Sequence, residues 1–249
     1  MAWCIKMKMV CLSADISDND IYCNEDLIEN VKKELYKVRD VGASICEITN
    51  ITGDDMAITA VIPNDNNLEK VNKSIFNILK NNAKGFEDIN GVSETIEEAG
   101  EGISYAEIDL DPKFCPDAII IEFDTYCGEP FVGKVAKSAI EAAKGMEFLG
   151  DIDGGSVKDV LKIPGVGYVS NKTDDPVILA SVYNVEHVGI IAGAMIGAIL
   201  GNKNTYLVKR NTPANVIPGS VIFSVTAFMN GNIIDLSSPF SYRTKILEK

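Results

Sequence analysis

The chain has 249 residues, of which 46% are hydrophobic and 24% charged, so it can bury a substantial core in one large domain or two smaller ones. It carries 36 acidic and 23 basic side chains, which give a formal net charge of −13. Binding to phosphate backbones or anionic lipids needs clustered Lys and Arg, and no basic run is present. Nucleic acid and membrane surfaces are therefore poor candidate partners.

The cysteines and the amino-terminal residues indicate the compartment. The six cysteines are scattered without a Cys-x-x-Cys pair, and His187 is the single histidine, so neither a disulfide framework nor a structural zinc site is expected. The first residues lack the apolar stretch and cleavage site of a signal peptide. We expect a cytoplasmic, acidic protein with reduced thiols and without a bound structural metal.

The first half of the chain alternates strand and helix patterns. Hydrophobic spacing predicts the order β-α-β-β-α-β over residues 4–14, 26–41, 44–50, 56–63, 68–79 and 102–110. The two middle strands are joined by Thr52-Gly53-Asp54-Asp55, which is turn chemistry. This order predicts a ferredoxin-like α+β domain over residues 1–112, with a long acidic connection before its last strand.

The composition changes after Cys115-Pro116, and a layered βαβ region is predicted from there. Residues 117–124 form a nearly continuous apolar run, which is typical of a strand covered on both faces. Further strands are expected over 147–152, 166–170, 205–210, 221–229 and 232–236, and helices over 131–144, 156–162 and 175–200. Asn230-Gly231 predicts a C-terminal β-hairpin. Together these patterns predict an α/β domain over residues 113–249.

The most apolar segment, residues 188–200, has a glycine at every fourth position. Gly189, Gly193, Gly197 and Gly201 therefore lie along one face of a predicted helix. The uncharged run of about 13 residues falls short of the roughly 20 that span a bilayer. We expect a buried helix that another element approaches closely. The approaching element belongs either to the same chain or to a second copy, in which case the 189–201 helix forms a homodimer contact.

The strongest candidate site follows the strand predicted over 117–124. Open α/β sheets bind ligands at the carboxyl ends of their strands, which is where Asp124 falls. Cys127 lies near a predicted helix N-terminus, where the helix dipole lowers a thiol pKa, and Asp124 and Glu129 can act as acid or base or hold a cation. The alternative is that Cys127 is a small buried residue and that the acidic side chains complement the helix dipole.

A second candidate is a glycine loop at the next predicted strand-to-helix junction. Its residues are Asp153, Gly154, Gly155 and Ser156. Consecutive glycines expose backbone N–H groups that bind a polar or anionic group of a ligand. The alternative is an ordinary loop in which Ser156 is the helix N-cap.

The function predicted from these features is an enzyme of small-molecule or cofactor metabolism. A group-transfer or lyase reaction is favoured over hydride transfer because no dinucleotide fingerprint is present, and no cofactor is assigned. His187 has an unperturbed pKa near neutrality and is a candidate proton carrier, or else a structural histidine beside the apolar helix. The alternative function is a non-catalytic small-ligand-binding or oligomeric assembly protein.

Overall fold

A computed structural model describes residues 6–17, 21–84, 103–111, 113, 116–126, 156–157, 160–163, 167–170, 175–181, 191, 193, 195 and 204–238. The described part is mixed α/β, with two sheets and few helices. The strands are β1 Met7–Asp15, β2 Ile45–Thr52, β3 Asp55–Ile62, β4 Ser104–Leu110, β5 Asp117–Tyr126, β6 Ser156–Val157, β7 Val160–Ile163, β8 Gly167–Ser170, β9 Val177–Ser181, β10 Thr205–Val208, β11 Ser220–Met229 and β12 Asn232–Asp235. The α-helices are α1 Glu25–Glu34, α2 Tyr36–Asp40 and α3 Leu68–Asn82, and a 3-10 turn at Asp65–Asn67 precedes α3.

The larger sheet has the strand order β2-β3-β1-β4-β8-β7-β6, and each described pair in it is antiparallel. It takes strands from both sides of residue 112, where the sequence predicts a domain boundary. Alternate residues of a strand point to opposite faces of the sheet. In β1, Val10 and Leu12 therefore contribute to a core shared with the helices, whereas Met9 and Cys11 face the second sheet.

The helices cover one face of the larger sheet. Asn24 ends the preceding loop, and its side chain accepts a hydrogen bond from the Leu27 N–H at 2.9 Å, which is N-cap geometry. Val31 of α1 and Ile75 of α3 are fully buried in the core between the helices and the sheet. Both helices thus pack as amphipathic elements, as their hydrophobic spacing predicts.

The smaller sheet covers the opposite face. Its order is β10-β11-β5-β9, and β12 pairs with the end of β11. The rings of Phe123 and Phe223 stack at 5.3 Å on its two central strands, and both side chains are buried. Strand β2 of the larger sheet contacts β5 and β11, and β4 contacts β9. The two sheets therefore pack face to face, and polar residues at their shared interface become part of the interior.

One predicted helix and the start of another are wrong. Residues 156–162 hold the strands β6 and β7, and the segment predicted as helical from residue 175 begins with strand β9. All five residues of β9 are buried, and a short, fully buried apolar run has no periodicity that separates a strand from a helix. In 156–162, the apolar spacing of Val157, Val160 and Leu161 fits a helix, but it fits a tight hairpin equally well.

Other predictions agree with the structure. Asn230 and Gly231 both have positive φ, 48° and 87°, and join β11 to β12 in an antiparallel hairpin. In the predicted glycine-stepped helix, residues 191, 193 and 195 are helical, with Ile191 and Gly193 buried, and its other residues lie outside the described part. No helix in the described ranges is long and apolar enough to cross a bilayer. The helix predicted over 131–144 and the strand over 147–152 also lie outside the described residues.

Arg210 closes the irregular edge of the larger sheet. Strand β2 has a bulge between Ile48 and Asn50, which leaves carbonyl groups without their ladder partners. The Arg210 guanidinium donates to the Thr49 carbonyl at 2.9 Å and to the Ile48 carbonyl at 3.0 Å. The connection after β10 is therefore fastened to β2, on the side of the molecule where β2 turns into β3.

Arg210→Ala is expected to lower the free energy of unfolding by about 1.5 to 3 kcal/mol, because it removes hydrogen bonds from a charged donor and leaves two carbonyl groups unsatisfied. Arg210→Lys should give an intermediate loss, since one ammonium cannot reproduce the planar two-donor geometry. Urea unfolding of the three proteins measures the effect. An unchanged midpoint in Arg210→Ala would show that this edge needs no such fastening.

Candidate functional site

Three aspartates from distant parts of the chain meet between the sheets. Asp55 begins β3, Asp124 lies near the end of β5, and Asp175 precedes β9. Each offers a carboxylate oxygen that lies within 4.8 Å of the other two. Asp55 is 4% exposed and Asp124 is 5% exposed, whereas Asp175 is half-buried. We call these three residues the carboxylate cluster.

Gly53 brings the β2–β3 turn against Asp124. Its φ of +61° lies in the left-handed region, and its N–H donates to the Thr212 carbonyl at 2.9 Å. A Cβ atom placed on Gly53 would lie 1.5 Å from Oδ2 of Asp124 and 3.0 Å from Cβ of Ala214. The close approach of this turn therefore requires glycine for two reasons, its conformation and the space it leaves for the carboxylate.

Asp175 is held by strands of both sheets. Its side chain accepts a hydrogen bond from the Thr125 N–H at 2.5 Å, and its main-chain carbonyl accepts one from the Ser104 hydroxyl. Ser104 belongs to the larger sheet and Thr125 to the smaller one. Asp175 is consequently fixed at the place where the two sheets meet.

Burial and like charge dominate the electrostatics of Asp55. Burial is the largest influence and, with the nearby carboxylates of Asp175, Asp124 and Glu122, it raises the pKa of Asp55 well above its ordinary value. Among the described residues, the Asp55 carboxylate has neither a hydrogen-bond donor nor a Lys or Arg ion pair. A buried carboxylate in such surroundings is costly for the fold.

Glu122 lies beside the cluster and connects it to a buried polar network. It is fully buried and accepts hydrogen bonds from the Ser13 hydroxyl at 2.6 Å and the Thr52 hydroxyl at 2.5 Å. Burial raises the pKa of Glu122 to about 8, although both hydrogen bonds and the charge of Arg210 lower it. Thr52 also shares a hydrogen bond with Ser224 at 2.7 Å, so the network spans both sheets.

The cluster has the chemistry of an all-oxygen site. Carboxylates accept hydrogen bonds, transfer protons and bind hard divalent cations such as Mg²⁺, Mn²⁺ and Ca²⁺. The buried thiols offer no comparable chemistry. Cys11, Cys23 and Cys46 are free and buried, and burial raises the pKa of each thiol to about 12, so they stay protonated at neutral pH.

One of the predicted site residues, Asp124, belongs to this cluster. The structure places Ser156 at the start of β6, so it is not the N-cap of a helix. The remaining predicted site residues lie outside the described part of the chain, and their convergence with Asp124 stays a prediction: Cys127, Glu129, Asp153, Gly154, Gly155 and His187.

Asp55, Asp175 and Glu122 were not among the predicted site residues. The sequence predicts a turn that includes Asp55, which begins β3 in the structure. It predicts a helix from Asp175, which instead leads into β9. Asp55 and Asp175 share one positional signal, since each lies at or just before the start of an apolar strand, whereas Glu122 lies in the middle of β5. That signal shows which residues are candidates but not which strand ends meet.

The fold and the site define an α/β protein that holds a buried carboxylate cluster between two sheets. The chain belongs to the family described as "Uncharacterised conserved protein UCP005278", whose model matches residues 8–244. It is similar to an uncharacterized protein of Methanothermobacter thermautotrophicus, with 50% identity over 98% of each chain. It is also similar to one of Methanocaldococcus jannaschii, with 40% identity over 93% of this chain and 96% of that one.

A solved structure of an anthrone oxidase-like protein matches with a TM-score of 0.28 and 10% identity, over 94% of this chain and 97% of that one. A likeness at that level supports no argument about fold or function.

Proposed function

We propose that this protein is an enzyme of small-molecule or cofactor metabolism, of the group-transfer or lyase type, with its reaction centre at the carboxylate cluster. The observation that carries the proposal is the convergence of three carboxylates, two of them more than nine-tenths buried, at the carboxyl end of β5. Burying like charges opposes folding, and such arrangements concentrate where chemistry needs them. A purely structural interface would be better served by apolar side chains.

The described residues suggest a division of roles. Asp124 supplies an acid/base group, and the half-buried Asp175 is the member of the cluster through which solvent or a substrate meets the interior. The β2–β3 turn packs Gly53 against Asp124, and the Thr125 N–H of β5 holds Asp175. Cys127, Glu129, His187 and the 153–156 loop keep their predicted catalytic and binding roles within this proposal.

The test compares wild type with Asp124→Asn, which keeps the shape of the side chain and removes its charge. Each purified protein is incubated with a small-molecule extract of Methanothermobacter thermautotrophicus, and mass spectrometry follows which metabolites are consumed or formed. We expect at least one substrate–product pair that wild type converts and that Asp124→Asn converts at least a hundredfold more slowly. Asp109→Asn, which removes an exposed carboxylate paired with Lys6 and Lys8, is the matched control and should convert it normally.

Two results would overturn the enzyme proposal. If wild type changes no metabolite, or changes the same ones as Asp124→Asn at equal rates, the cluster is not a reaction centre. A small molecule that co-purifies with wild type and is never converted would instead favour the alternative function, a ligand-binding or assembly protein.

The finer architectural predictions belong to the same proposal. The order β2-β3-β1-β4, with α1 and α3 on one face, supports a ferredoxin-like unit in the first half of the chain.

The proposal also includes a cytoplasmic location and a homodimer contact through the 189–201 helix. Light scattering of wild type against Gly193→Leu tests the dimer, because a bulky side chain on the glycine face would separate the subunits.

A further inference from the structure

Among the described residues, no positively charged group balances the most buried acid of the carboxylate cluster, Asp55. Asp55 is 4% exposed, and in the described part of the chain neither a hydrogen-bond donor nor a Lys or Arg reaches its carboxylate. The charged groups that act on it most strongly are other acids, Asp175 and Asp124 foremost. A charge in such a position needs a counter-charge, and a bound cation supplies one.

The spacing of the oxygens fits a single cation. Divalent cations bind carboxylate oxygens at roughly 2.0 to 2.6 Å, so two ligands of one ion lie at most about 4 to 5 Å apart. The three carboxylates meet this condition, because their ligand atoms lie within 4.8 Å of one another. They also come from elements that strand pairing fixes in place, since Asp55 pairs with Asp15 and Asp124 with Ile222.

We propose that Asp55, Asp124 and Asp175 together bind a divalent cation of the Mg²⁺ or Mn²⁺ class. The ligands are oxygen alone, which suits a hard cation, whereas zinc sites are built mainly from His and Cys. Three carboxylates leave coordination positions for water or for a substrate oxygen, as Mg²⁺ sites usually do.

Glu122 supports the site from the next position on the same face of β5. It accepts hydrogen bonds from the Ser13 and Thr52 hydroxyls and so holds the ends of β1 and β2 beside the cluster. Glu122 is not one of the three proposed ligands. The cation's role in turnover rests on the proposed function, but its binding does not.

Manganese binding to the full chain tests the proposal directly. The protein is treated with EDTA, desalted and titrated with Mn²⁺, and electron paramagnetic resonance measures the free ion; Mg²⁺ is then added as a competitor. We expect one tight site per chain, and at least a hundredfold weaker binding in Asp124→Asn and in Asp175→Asn. Asp109→Asn changes the net charge by the same amount away from the cluster and should bind like wild type. Circular dichroism checks that each variant is folded.

The outcomes separate this inference from the proposed function. Absence of a tight Mn²⁺ site in folded wild type, or equal affinity in Asp124→Asn and Asp109→Asn, overturns the cation site. Turnover that persists in EDTA also overturns its role while leaving the enzyme proposal intact. Tight binding that needs both Asp124 and Asp175, without any turnover, supports the cation site and overturns the enzyme proposal.

Discussion

Gly53→Ala is expected to lower the free energy of unfolding by roughly 2 to 5 kcal/mol. A non-glycine residue in the left-handed region costs about 1 to 2 kcal/mol. Overpacking adds about 1 to 3 kcal/mol, and here the new Cβ would lie 1.5 Å from Oδ2 of Asp124. Either the turn or the carboxylate must therefore move. Chemical denaturation monitored by circular dichroism measures the loss.

Gly219→Ala is the matched control for this substitution. Gly219 has a similar φ of +74°, but no atom lies within 4 Å of the position its Cβ would occupy. Its substitution should therefore cost only the backbone strain of about 1 to 2 kcal/mol. In an Asp124→Ala background the cost of Gly53→Ala should fall towards that of the control. Equal losses at the two glycines in wild type would show that Gly53 and Asp124 do not press against each other.

The effect of Asp124→Asn on the free energy of unfolding is expected to have opposite signs without the cation and with it. In EDTA, removing one of several clustered negative charges should raise the free energy of unfolding by about 0.5 to 2 kcal/mol, as replacement of functional residues often does. With Mg²⁺ at a hundred times the dissociation constant of wild type, wild type should gain about 2.7 kcal/mol, whereas a variant that binds at least a hundredfold more weakly should gain about 0.4 kcal/mol at most. The order of the two melting temperatures should therefore reverse.

Thermal unfolding of both proteins, with and without Mg²⁺, measures this reversal. Asp109→Asn again provides the control and should shift equally in both buffers, because its carboxylate pairs with lysines at the surface. If Asp124→Asn is less stable than wild type even in EDTA, Asp124 is a structural residue and its burial needs another explanation.

Much of the fold could be predicted from the sequence, because local patterns control it. The helical spacing of Leu27 and Val31 and the Asn230-Gly231 turn depend only on near neighbours in the chain. The failures lie where periodicity carries no information. All residues of β9 are buried, so its apolar run shows no alternation between a buried and an exposed face. Pairing with β5 makes it a strand, and such pairing is tertiary.

The candidate site was only partly predictable. Asp124 could be found because it lies near the end of an apolar strand, but the rule that suggested it holds for parallel sheets, and β5 pairs antiparallel with β9 and β11. Asp55 and Asp175 reach it through strand pairing and sheet packing between segments more than fifty residues apart, which a single sequence does not specify. The acidity of Glu122 depends likewise on Ser13 and Thr52, which come from distant strands.

The central claim is that Asp55, Asp124 and Asp175 act together as one site. The most direct test is a crystal structure of the protein grown with Mn²⁺, with data collected at the manganese absorption edge. We expect one strong anomalous peak within about 2.0 to 2.6 Å of an oxygen from each of the three carboxylates. A map without a peak at the cluster, with manganese at surface acids alone or nowhere, would contradict the account.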